Sequence, residues 1–311
     1  MTATTAPTVY THTWDWQGFP IRYQTAGTEG AAVVLIHGFG ASSDHWRKNI
    51  PQLGDRHRVY ALDLIGFGQS AKPQPGQPIP YTFETWGQQV LDFCREVVGD
   101  GAFLVGNSIG CIVALQAAVM APSQVHGVIL LNCSLRLLHD RKRATLPWYR
   151  SAFAPLVQQI LTNRAIGHYF FGQIAKPQVI RKILLQAYRD PSAVTDELVD
   201  LLYQPAMTPG AADVFLAFTG YSQGPLPEDL LPQLQCPALF LWGTADPWEP
   251  IELGRALADY PAVADFIALE GVGHCPQDEA PQQVNPLLLE WLARWQHHIH
   301  DRTHDGEQVE S

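Results

Sequence analysis

The sequence predicts an α/β fold: a mostly parallel central sheet flanked by helices and interrupted by an inserted helical cap. Three observations carry this expectation. Up to residue 133, short apolar runs ended by glycine or polar residues alternate with amphipathic stretches, the pattern of strands buried on both faces of a parallel sheet. The same rhythm resumes near residue 237. Between the two stretches, 134–232 is rich in helix-compatible residues and punctuated by Pro147, Pro155, Pro177, Pro191, Pro205 and Pro209, which suits several short helices rather than strands.

Taken in order, AAVVLIHG (31–38), VYALDLIG (59–66), AFLVGN (102–107) and GVILLN (127–132) read as strands. TFETWGQQVLDFCREVV (82–98) reads as a helix with Thr82 as its N-cap. After the insertion come a strand in PALFLWG (237–243), a helix in ELGRALADY (252–260), a strand in ADFIALEG (264–271) and a helix in QQVNPLLLEWLARW (282–295). The chain therefore divides into a core in two parts, 1–133 and 233–296, and a helical cap, 134–232, placed over the carboxyl edge of the sheet. The polar ends, about 1–10 and 297–311, are expected to be disordered.

Composition narrows the function. With 20 Lys+Arg against 30 Asp+Glu the net charge is −10, which disfavours nucleic acid as a partner. The charge is uneven: 134–232 holds 10 basic and 8 acidic residues, and the remainder 10 and 22. Cys94, Cys111, Cys133, Cys236 and Cys275 are odd in number and scattered, a pattern of buried, reduced thiols rather than a disulfide framework or zinc site. MTATTAPTVYTHTWDW has no charged start followed by an apolar run, and no window reaches the length of a membrane span. The expected location is cytoplasmic or peripheral on a membrane.

The chemistry is carried by G-N-S-I-G (106–110), which fits G-x-S-x-G with a strand before it and a helix after it. The glycines permit a tight turn that lifts the Ser108 hydroxyl above the sheet. A serine hydroxyl needs a base, an orienting acid and an oxyanion hole. His274, in the glycine-flanked G-V-G-H-C-P (271–276), supplies the base; Asp246, just past a buried strand in LFLWGTADPWEP (239–250), supplies the acid. Their order is Ser, Asp, His. An earlier strand end offers only Asn132. The backbone N–H groups of Phe39, in H-G-F-G (37–40), and Ile109, after the nucleophile, supply the oxyanion hole, with His37 bracing the loop. Asp63 and Asp278 are expected to be structural, as are His45, His57, His126 and His168. The chemistry calls for no metal and no organic cofactor.

HGFG, DLIGFGQS, GNSIG, GTADPW and GHCP in this order resemble the α/β-hydrolase superfamily over roughly 20–295. VGNSIG, LLN (130–132), DPWEP (246–250), GVGHCPQDEAPQQVN (271–285) and the segment 186–218 look similar to the pheophytinase and chlorophyll dephytylase group, cyanobacterial in type since no transit segment is apparent. Cys111 and Ile109 depart from that group's usual glycine and leucine. The resemblance implies a serine hydrolase with a lid, cleaving the phytyl ester of a chlorophyll-type tetrapyrrole in chlorophyll catabolism. It implies thylakoid-type membrane as the surroundings. A general lipid or carboxyl esterase and a carbon–carbon bond hydrolase stay open as alternatives; a non-catalytic binding protein would be expected to have lost part of the triad.

Such a substrate needs a large apolar cavity, for which the cap aromatics Trp148, Tyr149, Phe153, Tyr169, Phe170, Phe171, Phe215, Phe218 and Tyr221, with Trp248 beside Asp246, are the expected wall. The run LRLLHDRKRATLPWYR (135–150) sets Arg136, Arg141, Lys142, Arg143 and Arg150 among Leu, Trp148 and Tyr149, a composition suited to an anionic membrane surface.

Overall fold

In a computed structural model the chain is described at residues 7–76, 78–137, 139–142 and 163–307. Eight strands form one sheet: β1 (Tyr10–Trp16), β2 (Phe19–Ala26), β3 (Ala32–Ile36), β4 (Arg58–Leu62), β5 (Ala102–Asn107), β6 (Val125–Leu131), β7 (Ala238–Gly243) and β8 (Val263–Leu269). Their order is β1-β2-β4-β3-β5-β6-β7-β8. Strands β3 to β8 are mutually parallel, while β1 and β2 run antiparallel at one edge. The six strands expected from apolar runs are all present.

The β1–β2 hairpin lies partly inside the expected N-terminal tail. Its first strand is exposed at Tyr10–Thr13 and carries no apolar run, so it lacks the signal of a buried strand. Its turn is legible in retrospect: Gln17 and Gly18 both take positive φ (55° and 83°) between the paired Trp16 and Phe19, the geometry of a two-residue hairpin loop.

The parallel strands are apolar on both faces because both faces are covered. In β3, Val34 and Ile36 join a layer formed with α1 (Phe83–Phe93) and α2 (Ile109–Met120). Val33 and Leu35 join the opposite layer, closed by Val284, Leu288 and Trp291 of the terminal helix. Thr82 caps α1 through its side chain as expected; the helix then widens into a π-turn at Cys94–Val98 that Gly99 closes at φ 72°. All five cysteines are buried and unpaired.

Between β6 and β7 lie α3 (Arg164–Ile174), α4 (Pro177–Ala187), α5 (Asp196–Ala206) and α6 (Ala211–Thr219). They build a small core of their own in which Leu184, Tyr188 and Leu198 meet Cys275 of the sheet edge. The terminal helix α7 runs Pro281–Glu307. Once started, a helix extends at little cost per residue, and after Pro286 no proline or glycine interrupts the sequence until Gly306.

Candidate active site

Strand β5 ends at Asn107, and Ser108 follows at φ 56°, ψ −118° before α2 begins. That left-handed backbone is rare for a residue with a side chain. Close packing imposes it: a Cβ on Gly106 would stand 2.4 Å from the Gly110 carbonyl, and one on Gly110 would stand 2.4 Å from the Ile36 oxygen. The turn is pinned by Ser108 N–H donating to the Leu131 oxygen (3.0 Å), and by Cys111 N–H and Ser134 N–H donating to the Ser108 oxygen (3.1 and 3.2 Å).

The His274 loop sits beside this elbow, because the Asn107 side-chain amide donates to the His274 carbonyl (3.1 Å). His274 Nδ1 lies 2.7 Å from Asp246 Oδ2, and both residues are buried. With a carboxylate as acceptor, Nδ1 carries the proton and Nε2 faces away as a base. Asp246 Oδ2 also receives the Asn132 amide (2.6 Å), and its Oδ1 receives the N–H groups of Trp248 (2.8 Å) and Glu249 (3.1 Å). Burial alone would raise this carboxyl, but the hydrogen bond and charge of His274, with the Asn132 and Trp248 donors, hold it below the usual carboxylate range. The acid is thus anchored on four sides and kept ionised. Among the described residues no hydrogen bond joins the Ser108 hydroxyl to His274; the two side chains face the same cavity. Such contacts commonly tighten only when substrate binds.

The HGFG loop is packed directly on the elbow: a Cβ on Gly38 would lie 3.3 Å from the Ser108 Cβ. His37 holds this loop as a neutral ring. Leu64 N–H donates to its Nε2 (3.1 Å), so Nδ1 bears the proton and donates to the Gly38 oxygen (2.7 Å). Burial holds its pKa below the ordinary value. Among the described residues the N–H groups of Phe39 and Ile109 donate to no other group of the chain, and Phe39 and Ile109 lie on the wall of a common cavity.

Residues 33–287 match the alpha/beta hydrolase family. The chain belongs to that family. The hydrolase is 28% identical to the chloroplast pheophytinase of Arabidopsis thaliana over 88% of its own length; it spans 64% of that protein, just under two thirds. It is also 28% identical to the uncharacterized hydrolase YugF of Bacillus subtilis (strain 168), covering 87% of this chain and 92% of that one. Among solved structures the epoxide hydrolase CorEH superimposes with a TM-score of 0.74 at 22% identity, over 92% of this chain and 99% of that one, a likeness of fold.

Two cavities of about 580 Å³ each meet at the hydrolase's site. The first contains Ser108 and His274 and is walled by Phe171, Ile174, Ile180, Leu184, Leu202 and Phe215 of the cap. The second runs past Ile109 and is bordered by Ser134, Arg136, Phe218 and Tyr221. Phe39, Trp248 and Glu249 border both. Of the expected wall, Phe171 and Phe215 border the first cavity, Phe218 and Tyr221 the second and Trp248 both, while Tyr169 and Phe170 are exposed and line neither; Trp148, Tyr149 and Phe153 lie outside the described residues. The Phe39 ring stacks on Phe218, centroids 4.6 Å apart, and Trp248 leans over His274 at 4.9 Å.

Two residues escaped the motif reading. Asn132, considered only as a missing acid, both donates to Asp246 and accepts Gly243 N–H (3.1 Å). Glu249, which follows Asp246 in DPWEP, accepts from Ser134 Oγ and Leu135 N–H, each at 3.0 Å. Burial pushes its carboxyl up to about 7, against the lowering effect of these two donors and of neighbouring His274. Asp63 and Asp278 take structural contacts: Asp63 receives Ser43 N–H and Gln69 N–H, and Asp278 faces Arg47 and Lys48 at 2.9 and 3.0 Å.

The described part of the basic run 135–150 is spent inside the chain. Arg136 donates to the carbonyls of Pro225, Tyr221 and Gln223 and lies over the Phe83 and Tyr221 rings. Arg141 pairs with Asp229 and Lys142 with Glu228. Arg143 and Arg150 lie outside the described residues. No described helix is long and apolar enough to cross a membrane.

Proposed function

We propose that the protein hydrolyses a hydrophobic carboxylic ester by a two-step acyl-enzyme route. The observation that carries this reading is the 2.7 Å His274–Asp246 contact opening into the apolar cavity that also contains the strained Ser108. Ser108 attacks the ester carbonyl as His274 Nε2 takes its proton; His274 then returns that proton to the leaving alcohol. Asp246 keeps the imidazole tautomer and stabilises the imidazolium. The N–H groups of Phe39 and Ile109 receive the negative charge that develops on the carbonyl oxygen. Water, deprotonated by His274, repeats the sequence on the acyl-enzyme and frees the acid.

The substrate we infer is the phytyl ester of chlorophyll or pheophytin, giving chlorophyllide or pheophorbide plus phytol. The motif combination of the pheophytinase group, the similarity to the Arabidopsis pheophytinase and an apolar cavity of about 580 Å³ support it. Purified protein incubated with chlorophyll, pheophytin and short acyl esters, followed by chromatography, tests it. Phytol release is expected at a higher kcat/KM than short-ester cleavage. Ser108→Ala is expected to stay folded and to lose on the order of 10⁵-fold in turnover. Hydrolysis of short esters alone would leave a general esterase; near-normal turnover by Ser108→Ala would remove the nucleophile assignment.

A further inference from the structure

We propose that the outer surface of α3 and α4 docks on an anionic lipid bilayer, holding the mouth of the catalytic cavity against the membrane. The proposal rests on the reading that the substrate is an apolar ester, which resides in lipid rather than in water. Three features of these helices carry it.

The first is apolar exposure at helical spacing. On α3, Ile166, Tyr169 and Phe170 stand at i, i+3 and i+4, so they share one face, and their exposures are 46%, 71% and 42%. On α4, Ile183 and Leu185 are exposed by 40% and 44% but lie two positions apart and do not share a face; Ile183 is the one on the side of the Ser108 cavity. Large apolar side chains gathered in the open mark a surface that something covers.

The second is charge. The chain carries a net −10, yet from Asn163 to Arg189 it has five Lys or Arg and no Asp or Glu. Arg164 and Arg181 are paired with Asp213 and Asp196. Lys176, Lys182 and Arg189 are exposed and have no carboxylate partner among the described residues. Apolar side chains flanked by unpaired cations, on helices that do not span, match a surface lying in the headgroup layer of an anionic membrane.

The third is continuity with the cavity. Phe171 and Ile174 on α3, with Ile180, Ile183 and Leu184 on α4, wall the cavity that contains Ser108. Ile183 belongs both to that wall and to the exposed face, so the two helices form the rim of the opening. A bilayer against this rim lets an apolar chain pass from lipid to cavity without crossing water, which removes the cost of hydrating it.

The test separates docking from catalysis. The full chain is co-sedimented with vesicles of phosphatidylcholine and with vesicles in which part of that lipid is replaced by phosphatidylglycerol. Hydrolysis of a short water-soluble ester is read on the same samples. Binding is expected on the anionic vesicles only, and is expected to weaken as salt is added. The triple variant Lys176→Gln, Lys182→Gln, Arg189→Gln is expected to lose on the order of 100-fold in partitioning, and Tyr169→Ser with Phe170→Ser to release the protein independently of salt. None of these residues borders the cavity, so each variant keeps wild-type turnover on the soluble ester. Absence of binding, or binding that survives both variants, overturns the proposal. So does a dimer in sedimentation velocity that the same substitutions dissolve, since the face would then belong to a second copy. Failure of the wild-type protein to cleave any soluble ester counts against the hydrolase reading instead and leaves the vesicle result intact.

Discussion

Ser108 and Glu249 are both held in states their residue types resist, and both line the same cavity. The left-handed backbone at Ser108 stores strain of about 1–3 kcal/mol, sustained by the glycine contacts on either side of it. Glu249 is a buried carboxyl with no salt bridge among the described residues, and its raised pKa has a definite sign for stability. An acid whose folded pKa exceeds its unfolded value binds its proton more tightly when folded, so folding weakens as pH rises between the two values. Here that window runs from the ordinary glutamate value to about 7. Glu249→Gln should remove this loss. In denaturant titrations at pH 5 and pH 8, the stability of the variant relative to wild type is expected to shift in its favour at the higher pH, by on the order of 3 kcal/mol; an unchanged difference would refute the ionisation. Ser108, Asp246 and His274 stand out in the sequence because each sits in a local motif. Asn132 does not, because its partner Asp246 is adjacent only through the pairing of β6 with β7.

At the scale of elements, the end of α4 is stitched to the loop that carries His274. His274 N–H donates to the Ala187 carbonyl at the end of α4 (2.8 Å). Glu279 receives the N–H groups of Arg189, Asp190 and Gly273, each at 2.8 Å, and Tyr188 donates to Asp278 at 2.9 Å. One carboxylate thus joins the α4 exit to the histidine loop. Glu279→Ala would strip three donors of their acceptor and is expected to cost roughly 2 kcal/mol in stability, and to lower kcat on a short ester as the His274 loop loosens. Unchanged kcat would show that the loop keeps its place without the cap. These stitches connect residues about ninety positions apart, so no local pattern announces them.

For the molecule as a whole, the antiparallel hairpin closes one edge of an otherwise parallel sheet. Strand β2 pairs with β4, Trp16 Nε1 donates to Asp92 (2.8 Å), and Arg22 grips Asp44 through two hydrogen bonds at 2.7 and 2.8 Å. A chain starting at Thr28 would leave β4 as a bare apolar edge, a template for association. It is expected to be recovered mainly as aggregate; a monomer of normal activity in sedimentation velocity would show the hairpin to be dispensable.

The sequence by itself determined the elements whose signal is local: the six parallel strands, written as apolar runs, and the motifs that hold Ser108, Asp246 and His274. It determined them because burial of the inner strands on both faces and a glycine-bounded elbow each impose their residue types at short range. The tertiary structure alone decided what depends on neighbours distant in sequence. It paired Asn132 with Asp246, isolated Glu249 between two cavities, spent Arg136, Arg141 and Lys142 on internal partners, and brought α3 and α4 to the rim of the cavity. Hydrogen bonds and ion pairs act over a few ångströms, and which groups come that close is set by strand order and helix packing rather than by separation along the chain.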